Sequence, residues 1–179
     1  MTRSYRYVGP QHIAHAVAGH SAGHPIQSVT DLERWIQQTR QQPNQRGLIV
    51  ATFIIAEDGV LYLADRYSEH VACAGGSAVR SAGEMSFAAG EDGWEAREVS
   101  NQSTGYCPEP ASWQAVVAAL ADIPLPHPDR FTQAYLFRCC PACHQLNLVK
   151  EDIFVCAICD AELPTEWNCE AGEEAGTSG

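Results

Sequence analysis

The stretch GLIVATFIIAEDGVLYLADR, Gly47 to Arg66, sets two apolar runs on either side of Asp58-Gly59. Asp-Gly between apolar runs is the strongest short hairpin signal, because those two residues tolerate the positive φ a tight turn needs. Leu48 to Ala56 is almost continuously apolar, whereas a strand with one wet face alternates, so this strand is expected at the centre of a sheet and covered on both faces. A second pair, GEMSFAAG (83–90) and WEAREVSNQS (94–103), flanks Asp92-Gly93 and reads as another hairpin of the same antiparallel sheet.

Working outward, TDLERWIQQTRQQ (30–42) predicts a helix. Thr30 and Glu33 form a capping-box pattern, Leu32, Trp35 and Ile36 share a face, and Pro43 ends the run. PASWQAVVAALADI (110–123) predicts a second helix with Pro110 in its first turn and Trp113, Val116, Val117 and Leu120 turned to the sheet. The expected fold class is α+β, an antiparallel sheet with packed helices, over residues 28–123. Pro124, Pro126 and Pro128 then predict a stiff linker, 124–135, before a cysteine-rich part. Residues 1–27 hold His12, His15, His20 and His24 among Gly and Ala and read as a poorly ordered leader. The glutamate-bearing end, 168–179, reads as a disordered acidic tail.

The chain has 179 residues, 45% of them hydrophobic, enough for a packed core. Its formal net charge of -11 opposes a phosphate backbone and argues against nucleic acid as partner. No apolar run approaches the roughly 20 residues a membrane span requires, and MTRSYRYVGPQH lacks an apolar signal core. These features read as a cytoplasmic, bacterial protein with a protein or small polar partner.

Eight cysteines fit either disulfides or metal binding, and their spacing separates the two. Cys140-Pro-Ala-Cys143 and Cys156-Ala-Ile-Cys159 are two Cys-x-x-Cys hooks twelve residues apart. Each hook turns two thiolates to one side, and together they complete the tetrahedral shell zinc prefers. The expectation is one structural Zn2+ in a small zinc ribbon, 136–167; four thiolates leave no open position for catalysis. Cys139, next to Cys140, is a possible substitute ligand. Partner docking and self-association are roles such a module can serve.

ADRYSEHVACAGGSAVRSAGE (64–84) and VSNQSTGYCPEPASW (99–113) carry unusual chemistry for connecting loops. Four readings stay open. Cys73 or Cys107, activated by His70 with Glu84 orienting the ring, would serve group transfer or hydrolysis. His70, Cys73 and Cys107 would suit a second metal. Gly75, Gly76, Asn101, Gln102, Ser103, Thr104 and Tyr106 would line a pocket for a polar ligand around His70 and Tyr106. In the fourth, His70 and Tyr106 cap buried strand ends and both cysteines are small core residues.

EHVACAGGSAVRSAGEMSF followed by SNQSTGYCPEPASWQAV resembles a module of the plant IQ-motif calmodulin-binding proteins, in which a His-Ser-Ser segment with Gly-Gly precedes Ser-Gly-His-Tyr-x-Pro and a helix. His70, Gly75, Gly76, Ala82, Gly83, Ser103, Gly105, Tyr106 and Pro108 match by position. Val71-Ala72 replaces the two serines, Thr104 intervenes between Ser103 and Gly105, and no histidine precedes Tyr106. The resemblance covers residues 69–113 and implies a shared local fold; without an IQ motif it implies no calmodulin binding. The cysteine spacing similarly resembles rubredoxin-like zinc ribbons. The leading expectation is a zinc-containing binding or adaptor module, with the cysteine enzyme as alternative.

Overall fold

The computed structural model describes residues 3–170; the rest of the expected acidic tail, 171–179, lies outside the described residues. Elements follow in the order α1 (Gln11–Val17), β1 (His24–Ile26), α2 (Val29–Gln38), β2 (Ile49–Ala56), β3 (Leu61–Asp65), α3 (His70–Cys73), β4 (Val79–Gly90), β5 (Gly93–Val99), α4 (Trp113–Leu120), β6 (Leu136–Cys139) and β7 (Leu146–Val149). Five strands form one antiparallel sheet in the order β1-β3-β2-β4-β5, and β6 and β7 form a separate hairpin. The fold is α+β, and β2 is the middle strand.

The β2–β3 connection is a three-residue loop, Glu57 to Gly59. Gly59 N–H closes a turn on the Ala56 carbonyl at 2.9 Å, and Gly59 takes φ 87° before Ala56 N–H meets the Val60 carbonyl at 3.0 Å. This is the type I turn with a left-handed residue that relieves strand twist in three-residue hairpins, and glycine carries that φ without a Cβ clash. In the second hairpin Gly90 pairs with Gly93, so the turn centres on Glu91-Asp92 rather than on Asp92-Gly93.

Alternation on the strands sends side chains to both sides. One face of β2 presents Ala51, Phe53 and Ile55, which pack with Leu61, Leu63, Met85 and Phe87 beneath α2 and α4. Trp35 and Leu32 from α2 and Val116 and Leu120 from α4 close this layer. The opposite face presents Ile54, which packs with Ala64, Val79, Ala82, Val71 and Cys73, and Ile13 and Val17 of α1 lie over this second core. Three layers result, with the sheet in the middle.

The helix at α2 begins one turn-fraction earlier than Thr30. Ser28 is extended (φ -153°) and its Oγ accepts the Asp31 N–H, while Asp31 Oδ2 accepts the Gln27 N–H at 3.0 Å. Asp31, three residues after the cap, does the reciprocal bonding expected of Glu33.

Two segments depart from expectation. Residues 1–27 are not an irregular leader over their described part: α1 packs on α3, Tyr5 is 2% exposed and pairs by backbone with Val79, and β1 extends the sheet. Pro25 is tolerated because β1 is an edge strand. Residues 124–135 are not a free linker. Leu125 and Phe131 enter the main core with Ile123, the Pro126 carbonyl accepts the Ala96 N–H, and Thr132 N–H donates to Val99. The prolines stop α4 as read, but the extended backbone they favour then covers the bare edge of β5.

Phe53→Ala is expected to lower the unfolding free energy by about 3–5 kcal/mol, and Ser28→Ala by about 1 kcal/mol. Urea titration with an unchanged denaturant slope checks both.

Candidate metal centre and polar cleft

Beyond residue 139 the chain folds around its hooks. The Sγ atoms of Cys140, Cys143, Cys156 and Cys159 all lie within 4.8 Å of one another, with Cys140–Cys159 and Cys143–Cys156 at 3.6 Å. Four ligands about 2.3 Å from a central ion stand about 3.8 Å apart in a tetrahedron, so the four sulfurs fit one metal ion.

The hooks are built alike. His144 N–H returns to the Cys140 carbonyl (2.9 Å) and Asp160 N–H to that of Cys156 (3.0 Å). The residue after each hook turns left-handed, His144 at φ 62° and Asp160 at φ 60°. Cys140 N–H then meets the Gln145 carbonyl and Cys156 N–H that of Ala161. Amides inside the hooks point at sulfur: Cys143 N–H to Cys140 at 3.5 Å and Ile158 N–H to Cys156 at 3.4 Å. The Ile158 N–H, first among the causes, draws the Cys156 thiol down to about 6, the direction a metal-ligating thiolate needs, while Cys143 and Cys159 are shifted upward.

Asn147 on β7, 6% exposed, adds an outer contact. Its Nδ2 reaches Cys156 Sγ at 3.4 Å while its Oδ1 accepts the Ala157 N–H at 2.9 Å, so one amide positions both the second hook and its sulfur. Cys139 takes no part in the cage; its Sγ lies 3.4 Å from the His144 carbonyl. Among the described residues this is the one group of three or more metal-ligating side chains brought together. His70, Cys73 and Cys107 are not so assembled, nor are His12, His15, His20 and His24.

The ribbon is seated on the α+β domain. Arg138 of β6, its side chain 4% exposed, donates to Glu109 Oε1 (2.7 Å), to the Phe137 carbonyl and to the Thr165 carbonyl. Trp167 donates from Nε1 to the Cys107 carbonyl (2.8 Å) and stands edge-on to Tyr5, with Arg3 over its ring. None of these partners was read from the sequence. An arginine inside an apolar strand directly before a hook was the available signal, because such a group must find buried acceptors.

The loop residues proposed as a pocket are committed to the fold. Asn101 donates to the Pro108 and Tyr135 carbonyls and accepts the Tyr135 N–H. Ser103 Oγ accepts the Tyr106 N–H, and the Tyr106 hydroxyl, fully buried, donates to the Ser77 carbonyl at 2.7 Å. Gly75 and Gly76, at φ 59° and 80°, end α3 where a Cβ would crowd the backbones of Ser21 and Ala14. Gln102 and Thr104 are exposed.

The proposed thiol chemistry is likewise dispersed. Cys73 is fully buried on the α3 side of the sheet and burial pushes its thiol up to about 12. Cys107 is fully buried in a different cluster, against Phe137 and Cys169. His70 Nε2 lies 2.9 Å from the Gly83 carbonyl, which only accepts, so this nitrogen carries the proton. Both cysteines are thus closed off from solvent, and neither is hydrogen-bonded to His70.

The polar space lies elsewhere. On the α3 side of the sheet, helices cover only the half around Ile54. Beyond it Glu84 and Ser86 of β4 and Glu98 of β5 floor a cleft of about 350 Å³, walled by Ser100, Gln133 and Arg46. Arg46 grips Glu98 with both terminal nitrogens, at 2.6 and 3.2 Å. Glu84, half-buried, has no ion-pair or hydrogen-bond partner for its carboxylate among the described residues. A Cβ at Gly83 would collide with the Ser100 carbonyl, so glycine lets this wall close on β4. Of the residues singled out in sequence, Glu84 alone lines the cleft.

Burial holds the His70 imidazole below its ordinary range, against the opposing pull of the Gly83 carbonyl, Glu69 and Glu84. A depressed folded pKa means that the unfolded chain takes up the proton first. Stability from this group is therefore complete above the unfolded value of about 6.5 and declines as pH falls through it. His70→Gln, which keeps a donor for Gly83, is expected to flatten the stability loss between pH 7.5 and 5, read by urea titration at both pH values.

Comparison with known protein families, curated proteins and solved structures yields no match to this chain.

Proposed function

We propose that this chain is a zinc-stapled binding protein: one structural Zn2+ closes the ribbon, and the ribbon-bearing domain presents a polar cleft around Glu84 to a small ligand. The observation that carries the metal reading is the pair of matching hooks with four sulfurs within 4.8 Å. Tetrahedral thiolate sites suit zinc or iron, and a closed set of four favours a structural role. A ribbon this small has little core of its own, Cys140, Cys156, Val149 and Leu163 being its buried centre, so metal coordination supplies much of its folding energy. Free thiolates at this spacing are consistent with a reducing compartment such as the cytoplasm.

The ligand reading moves from His70 and Tyr106 to the adjoining cleft because Glu84 brings an uncommitted carboxylate while Asn101, Ser103 and Tyr106 are already bonded. The lining combines one arginine, two glutamates and hydroxyls, which favours a ligand offering a cationic or hydrogen-bond-donating group to Glu84. The enzyme alternative, group transfer or hydrolysis by Cys73 or Cys107 with His70 and Glu84, lacks comparable support, since an active thiol needs a depressed pKa and an approach for substrate. The resemblance of residues 69–113 to the plant module adds no activity to this reading, since in this chain the Gly75-Gly76 helix end and the buried Tyr106 are architectural parts.

Native mass spectrometry of the purified chain is expected to show one zinc per molecule. Asn147→Ala is expected to weaken zinc affinity about 10–100-fold in chelator competition, as loss of an outer contact to a ligand does. An iron mass, or no metal on a chain whose ribbon stays protected in hydrogen exchange, would overturn the zinc reading. For the cleft, a screen of small amines and polyols by NMR should shift the amides of Glu84, Ser86 and Ser100, and Glu84→Gln should abolish the amine responses; shifts confined to other surfaces would remove the cleft as the binding site.

A further inference from the structure

Large apolar side chains are left in water mainly at one place on this molecule. Of the six exposed among the described residues, five belong to the ribbon, Leu146, Leu148, Ile153, Val155 and Ile158, at 39% to 70% exposure, and the sixth is Tyr67. Single exposed apolar residues are ordinary on any surface, whereas a contiguous group of them marks a contact.

Strand alternation brings them together. On β7, Asn147 and Val149 turn toward the ribbon's centre, so Leu146 and Leu148 turn away from it. Cross-strand partners share a face, which sets Leu148 beside Phe137 and Leu146 beside Cys139 of β6. The α+β domain covers the β6 half of that face, where Phe137 packs with Cys107, and leaves the β7 half bare. The chain then reverses at Glu151 and Asp152, both left-handed at φ 54° and 56°, and Lys150 bridges Ile153. On the returning segment Phe154 and Cys156 face the ribbon's centre, which sends Ile153 and Val155 outward on the side of the two leucines. Strands lie about 4.8 Å apart, so a bare face two strands wide matches the roughly 10 Å diameter of one helix.

The charge around this face has one sign. Residues 136–167 carry five carboxylates, all on exposed residues and none paired with a cation of the described residues; they include Glu151 and Asp152 at the turn and Glu162 opposite Val155. Of the two cations there, Arg138 is buried on Glu109 and Lys150 alone is exposed.

These facts select an occupant. Outside the described residues the chain offers Met1-Thr2 and AGEEAGTSG (171–179), a single large apolar side chain and too little to cover five. A second copy would set carboxylates against carboxylates in a chain of net charge -11. Nucleic acid and an anionic membrane surface meet the same repulsion. We propose that the bare ribbon face docks an amphipathic helix of a protein partner, with leucine-like side chains on the β7 half and lysines or arginines against the acidic rim. The apolar centre supplies the affinity, and the rim guides encounter and fixes orientation. This surface is separate from the cleft and stands whatever the cleft binds; it requires the ribbon to be folded, whichever metal holds it.

The test is NMR titration of the full-length, metal-loaded chain with a helical peptide bearing leucines on one face and lysines on the other. Two control peptides replace the lysines with glutamate or the leucines with serine. Expected are amide shifts confined to residues 146–158 and Glu162 with the leucine–lysine peptide, none with either control, and binding that weakens as salt rises from about 50 to 300 mM. The double variant Leu146→Ser, Leu148→Ser should raise Kd about tenfold, and Glu162→Lys about threefold, both at an unchanged metal count by native mass spectrometry. Should the double variant lose metal or unfold, Glu162→Lys, which keeps every apolar side chain, still decides. Equal binding of the glutamate peptide, shifts spread over other acidic surfaces, or no binding of the leucine–lysine peptide would overturn the proposal. So would a doubled mass in light scattering that the double variant abolishes, which would make a second copy the occupant, or binding to phosphatidylglycerol vesicles through the same residues.

Discussion

Ile49–Ala56 carries apolar side chains on both faces, and neither can be left in water without forfeiting roughly 25 cal/mol for each Å² exposed. Everything around β2 answers that demand. Neighbouring strands cover its backbone on both sides, α2 and α4 lie on one face, and α1 and α3 lie on the other. The four residues of α3 would not hold a helix alone. They persist because Val71 and Cys73 are buried on Ile54 and because Gly75 and Gly76 turn the chain back against Ser21 and Ala14.

The second face is too long for the short helices that cover it. Where α3 ends its coverage, the strand positions change character: Thr52 turns its hydroxyl to the Arg66 and Ser68 carbonyls, and Glu84, Ser86 and Glu98 replace aliphatic residues. The cleft is thus the polar remainder of a surface whose other half is core. Its wall is the 100–101 loop, which approaches β4 closely only because residue 83 is glycine.

The ribbon and the sheet domain are one mechanical unit through polar contacts as much as apolar ones. Arg138 is a buried charge, and leaving it unpaired would cost several kcal/mol; Glu109 and two carbonyls take up its terminal nitrogens, while its Nε has no partner among the described residues. Asn101 does the same for backbone, bonding residues 108 and 135 across the seam. Residues 124–135 complete the join by covering the edge of β5. The four-sulfur cluster therefore sits at the far end of a continuous packed structure.

The central strand, both hairpins, the two longer helices and the tetrathiolate set were legible in the residues themselves. Each is written in local signals: a run of apolar residues, turn pairs, a 3.6-residue period, two Cys-x-x-Cys spacings. The same local reading erred at α2, where Ser28 and Asp31 cap in place of Thr30 and Glu33, and at both flanks of the sheet domain, where glycines and prolines resembled disorder and a linker. What tertiary structure alone decided were meetings between residues distant along the chain. Arg138 with Glu109, Cys107 with Cys169, Glu84 with Ser100 and Gln133, and the separation of His70 from both cysteines each depend on strand register and on which face a helix covers. Those are set by how the whole apolar surface is buried at once, and no window of the sequence carries that information.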